Sequence, residues 1–109
     1  MTDTVKAELD RVVEVLVGTG IVTKIILFGS HARGDGNPNS DIDLCVLTSV
    51  KDKRPIDVTI ELRGNLIGVR KSAVDLFALE QNEFYNHAKR PTSFHYEILN
   101  NGVTLYDNG

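Results

Sequence analysis

The chain has 109 residues, with 41% hydrophobic and 25% charged, and twelve Lys and Arg against fifteen Asp and Glu leave a net charge of -3. That predicts one domain over 1–109 with a real core, and the acidic balance argues against direct nucleic-acid binding. The lone Cys45 excludes an internal disulfide and a cysteine-based zinc site, and no apolar run outgrows Ile25-Ile26-Leu27-Phe28, far short of the roughly 20 residues of a membrane span. A small acidic cytoplasmic domain is the expectation.

Val5, Leu9, Val12, Val13 and Leu16 share one face at 3.6 residues per turn, which predicts an N-terminal helix with Asp3 as N-cap and Gly18 or Gly20 as its stop. Lys24 to Phe28 is too short for a helix. Its unbroken apolar run reads as a central strand covered on both faces. The strand ends at Gly29-Ser30. The stretch from Gly34 to Ser40 is almost pure turn chemistry. Asp41 to Leu47 then alternates, with Ile42, Leu44 and Val46 on one side and Asp41, Asp43, Cys45 and Leu47 on the other.

Pro55 to Val69 carries two periods. Val58, Ile60 and Leu62 alternate as in a strand, while Ile56, Ile60 and Ile67 fit a helical face. Its length and the Pro at the first turn favour a helix. Ala73 to Leu79 is the next strand. A short helix from Glu80 to about Lys89 follows, and Thr92 or Ser93 caps a last helix that Gly102 ends. Val103 to Tyr106 returns as an edge strand. Helices alternating with few strands predict an α/β or α+β domain, a small mixed sheet flanked by helices.

Two features carry chemistry. In Phe28-Gly29-Ser30-His31-Ala32-Arg33-Gly34, Gly29 permits a sharp turn and a close ligand approach. Backbone N–H groups and the Ser30 hydroxyl suit an anion, and Arg33 lies three residues on, where its fork could grip a phosphate oxygen. Taken alone, this stretch is better accounted for by an ordinary strand-to-helix turn with a capping serine and a solvated arginine. The second feature is Asp41 and Asp43. At i and i+2 of a strand they share a face, about 6.8 Å apart. At an effective dielectric near 20 their repulsion is of order 2–3 kcal/mol. A divalent cation such as Mg²⁺ would offset it, and so would exposure to water at the strand end. Asp75, between Val74 and Leu76, is a third carboxylate in an apolar strand. If its strand lies beside that of Asp41, three carboxylates converge next to an anion site, as two-metal nucleotidyl transfer requires.

The motif Gly29-Ser30-His31-Ala32-Arg33-Gly34, then Ser40-Asp41-Ile42-Asp43-Leu44, then Val74-Asp75-Leu76, resembles the signature of the DNA polymerase β nucleotidyltransferase superfamily. The short length and the ending Glu97-Ile98-Leu99 through Gly102-Val103-Thr104-Leu105-Tyr106 resemble its minimal members, the MNT proteins. The resemblance implies a polymerase β-like fold and ATP as donor. It implies nucleotide binding by Gly29, Ser30, Arg33 and Ser40, and Mg²⁺ on the catalytic set Asp41, Asp43 and Asp75. Asp75 would also help activate the attacking hydroxyl. His31 stands where an arginine or an aromatic is frequent. Many minimal members are antitoxins of HEPN-domain ribonucleases, which implies AMP transfer to a tyrosine of such a partner. Neutralisation by occlusion alone, or transfer to a small molecule, are the alternatives, and a homo-oligomer stays open.

The remaining residues read as structural. Cys45 is expected as a small buried hydrophobe. His87 and His95 have no partner at metal spacing, and Tyr85 and Tyr96 read as packing. Phe28, Phe77, Phe84 and Phe94 are scattered and form no base-stacking platform.

Overall fold

The computed structural model describes residues 3–35, 40–69 and 74–108. In chain order the elements are α1 (Asp3–Gly18), β1 (Val22–Phe28), α2 (Ser30–Arg33), β2 (Ile42–Thr48), α3 (Pro55–Asn65), β3 (Val74–Glu80), α4 (Gln81–Ala88), α5 (Phe94–Asn101) and β4 (Val103–Asp107). The strands form one sheet in the order β3-β2-β1-β4. β1 runs antiparallel to β2 and to β4, while β2 and β3 are parallel, joined by the α3 crossover. The expected small mixed sheet flanked by helices is therefore the fold.

The β1 residues Ile25, Ile26 and Leu27 are buried, as a strand in the middle of the sheet with helices on both faces demands. On one face α1 and α3 lay down Val5, Leu9, Val12, Leu16, Val58 and Leu62 against Ile25, Leu27, Ile42, Leu44 and Val46. On the other, α4 and α5 bring Phe84, Ala88 and Ile98 onto Ile26, Cys45 and Leu47. The alternation read in β2 is thus the division between two cores. Glu80 accepts from the Asn82 and Glu83 N–H groups to start α4, and the Ser93 hydroxyl accepts from the Tyr96 N–H at 3.0 Å to start α5. Gly102 ends α5 at a point where a Cβ would run into the Ile26 side chain and the Ile98 carbonyl.

Two expectations need correction. The Pro55–Asn65 helix exists, but its buried face is Val58, Thr59 and Leu62, continued by Leu66. Ile56, Ile60 and Ile67 point outward, 55%, 61% and 80% exposed. Apolar residues on both sides of one helix are what produced its double period. Tyr85 and Tyr96 are at the surface rather than in the core, and the Lys24 ammonium lies 3.3 Å from the Tyr85 hydroxyl. His87 and His95 stack on each other with centroids 4.9 Å apart, a structural contact that agrees with their reading as structural residues. Residues 36–39 of the expected turn, and Ala73 of the expected strand, lie outside the described residues.

Candidate nucleotidyl-transfer site

The site stands at the end of the sheet where β1 stops and β2 and β3 begin. Gly29 follows β1 with φ 77° and ψ -154°, a backbone geometry that only glycine adopts without strain. A Cβ there would also collide with the Asp43 carboxylate. Position 29 therefore has to be glycine twice over. The first helical bond of α2 runs from the Arg33 N–H to the Gly29 carbonyl, 3.1 Å. The N–H groups of Ser30, His31 and Ala32 precede that bond, so none of them has a partner within the turn. Such N–H groups are chemically suited to an anion.

The carboxylates come together by strand register. Phe28 of β1, Asp43 of β2 and Asp75 of β3 are successive partners across the sheet. They occupy one row on the face that α4 and α5 cover further down. Asp43 is half-buried, while Asp41, just ahead of β2, and Asp75 are exposed. Asp43 binds its proton more tightly than an ordinary aspartate. Partial burial is the largest cause, followed by the neighbouring charges of Asp75 and then Asp41, with His31 and Arg33 pulling the other way. Asp43 therefore sits within the fields of both Asp75 and Asp41.

Among the described residues no group of three or more His, Cys, Asp or Glu side chains is placed to hold a metal ion as it stands. Asp75 Oδ1 accepts from the Arg63 guanidinium at 2.5 Å. The donor chemistry nonetheless fits a hard divalent cation. The donors are all carboxylate oxygens, and their mutual repulsion is the interaction such an ion relieves.

Arg33 does not reach across an empty turn. Its Nε donates to Asp35 at 3.3 Å, with both side chains mostly exposed. His31 is a residue whose role the motif left open. It is buried, and its Nε2 donates to the Ser40 carbonyl at 3.1 Å. A carbonyl only accepts, so Nε2 carries the proton. The imidazole thereby ties α2 to the residue just before Asp41, across nine positions of sequence. The phenylalanines also need correction. Phe28, Phe77 and Phe94 are packed edge to face, with centroids 5.6–6.5 Å apart, and Phe28 stands in the row of Asp43. Beside them a cleft of about 660 Å³, lined by Phe28, Gly29, Arg33, Phe94, Glu97 and Asn101, opens from the turn. Cys45 is buried in the sheet, which pushes its thiol up to about 12 and leaves it a packing residue.

Residues 10–109 match the family described as polymerase beta, nucleotidyltransferase. The chain belongs to that family. It is 37% identical over 87 residues to a protein of Methanocaldococcus jannaschii named as a candidate protein adenylyltransferase, covering 80% of this chain and 81% of that one. Its fold matches the crystal structure of a candidate nucleotidyltransferase from Sulfolobus solfataricus, with TM-score 0.62 and 17% identity over 99% of this chain and 90% of that one. A toxin–antitoxin structure with AMP-PNP matches with TM-score 0.50 and 21% identity over 91% and 73% of the two chains. At these identities the two structural matches speak for the fold. Membership in the family makes this chain a nucleotidyltransferase.

Proposed function

We propose that this nucleotidyltransferase moves AMP from ATP onto a tyrosine hydroxyl of a separate protein, a HEPN-type toxin, and so acts as its antitoxin. The observation that carries the transfer reading is the row Asp43–Asp75 beside the Gly29–Ser30 turn, carboxylates that would take a cation against a turn that would take an anion. The protein acceptor is supported by the adenylyltransferase name of the 37%-identical relative, and ATP and a toxin partner by the AMP-PNP toxin–antitoxin neighbour.

In this reading Gly29, Ser30 and Ser40 line the triphosphate, and Arg33 exchanges Asp35 for a phosphate oxygen. Asp41, Asp43 and Asp75 would hold Mg²⁺. Bound there, the ion supplies neutralisation of the triphosphate and a more acidic acceptor hydroxyl. Asp75, at the outer end of the row, faces the incoming hydroxyl and helps to take its proton. The acceptor oxygen forms a bond to the α-phosphorus, the α–β bridge breaks, and pyrophosphate leaves.

The test is the intact mass of the candidate partner after incubation with this protein, ATP and Mg²⁺. One added AMP with the wild type, and none with the Asp41→Asn, Asp43→Asn double variant, is the expected result. A partner that stays unmodified yet is neutralised by both proteins would replace transfer by occlusion.

A further inference from the structure

β3 is an edge strand, with β2 on one side only. Its outer backbone groups need partners, and α3 provides them. The Thr59 hydroxyl oxygen accepts from the Ala78 N–H at 2.9 Å. The Arg63 Nε and Nη2 donate to the Leu76 carbonyl at 3.1 and 2.9 Å. The match is metric. Four residues advance a helix by about 6 Å, and two residues advance a strand by about 6.6 Å. Thr59 and Arg63 therefore meet successive open groups of the same edge. The Arg63 guanidinium is pinned to backbone, and from that anchorage it reaches Asp75.

We infer that Arg63 is the positioning residue of Asp75, fixing the third carboxylate of the proposed site in the row with Asp43. An exposed ion pair is ordinarily worth little, because two long side chains must be ordered to make it. Here the two bonds to Leu76 already order the arginine. Asp75, exposed and at the open edge of the sheet, meets a preorganised fork. The inference rests on the reading of Asp75 as a ligand, and it predicts an effect opposite to simple electrostatics. Removing a cation from beside a metal site strengthens metal binding if charge is all that matters. Removing a positioning residue weakens it.

The experiment uses the full chain and the variants Arg63→Gln and Arg63→Lys, with backbone amide spectra checking the fold. Side-chain three-bond couplings of Asp75 report its χ1. We expect one rotamer in the wild type and averaging in both variants, since lysine cannot span the Leu76 carbonyl and Asp75 together. Mn²⁺ titrated with AMP-PNP present should bind about tenfold more weakly to both variants, and the loss should vanish in an Asp75→Asn background. Averaged couplings in the wild type, unchanged couplings in the variants, or tighter Mn²⁺ binding by Arg63→Gln would overturn the inference. A wild type that holds Asp75 in one rotamer but binds no Mn²⁺ would leave Arg63 as the clamp and defeat the metal reading instead.

Discussion

The two faces of the sheet receive alternate residues of the same strand and meet opposite fates. Under α1 and α3, Ile42, Leu44 and Val46 are fully buried. On the other face α4 and α5 reach only as far as Cys45 and Leu47, and the next residue in that line, Asp43, stands at the uncovered end. One face is a dry core along its whole length. The second is a core for two-thirds of β2 and a polar ledge for the rest. The difference comes from helix length and position, since α1 has 16 residues whereas α4 and α5 have eight each. Asp43 is tolerable in this strand because the helical cover leaves it half-exposed.

Leu44→Ala tests the dry face. It should cost about 2–5 kcal/mol, the range for truncating a fully buried leucine. Urea unfolding would read this as a lower midpoint with an unchanged slope. A loss under 1 kcal/mol would mean that the α1 and α3 face is less completely packed than its burial indicates.

Asp43→Asn, one residue away, should move stability in the other direction. Asp43 holds its proton more tightly in the folded chain than in the unfolded one. Its ionisation therefore works against folding, fully so at neutral pH, and the penalty fades as acid protonates it. The amide removes that penalty. Because the group is only half-buried, the gain is about 0.5 kcal/mol, or about 2–4 °C in Tm. It should be present at pH 7.5 and absent below the ordinary aspartate range near pH 3.9. Transfer by the same variant should fall by about two orders of magnitude or more. A variant both more stable and inactive would mark the ledge as a place where stability and activity oppose each other. A destabilised variant would show that the carboxylate is instead a structural acceptor.

How far the sequence revealed this arrangement follows from the distance over which each signal acts. The glycine turn and the face of Asp43 were legible because their geometry is local, a turn and a two-residue period, although β2 begins only after Asp41. Asp75 was legible as an anomaly, a charge in an apolar strand, and only the parallel register of β2 and β3 gives it Asp43 as neighbour. Arg63 was not legible. Its partners at positions 75 and 76 depend on how α3 lies along β3, and its sequence neighbours in a helix carry no trace of that. The buried His31, bonded to Ser40 across the turn, was hidden for the same reason. The phenylalanine cluster draws on β1, β3 and α5, so no window of sequence contains it. The outward isoleucines of α3 misled in the reverse sense, since an apolar residue at helical spacing looks the same whichever side it faces.

The smallest expected effect lies where α4 and α5 meet, at the covered end of the polar face. His95 gives up its proton more readily than an ordinary histidine, first because it is partly buried and second because His87 is stacked against it. Phe84 closes another side of its ring at a centroid distance of 5.6 Å. The unfolded chain therefore binds a proton at this residue more readily than the folded one. Stability from this source is fully present above the ordinary histidine value near pH 6.5 and is lost as the pH falls through the lowered folded value. His95→Gln keeps a polar side chain and removes the titration. Thermal melts of both proteins between about pH 7.5 and 5 should show the wild type losing about 1–2 °C more than the variant, with the difference gathered below about pH 6.5. Equal losses would mean that α4 and α5 separate enough at this end to hydrate the ring in the folded state. The covering of the polar face would then be looser at its far end as well as open at its near one.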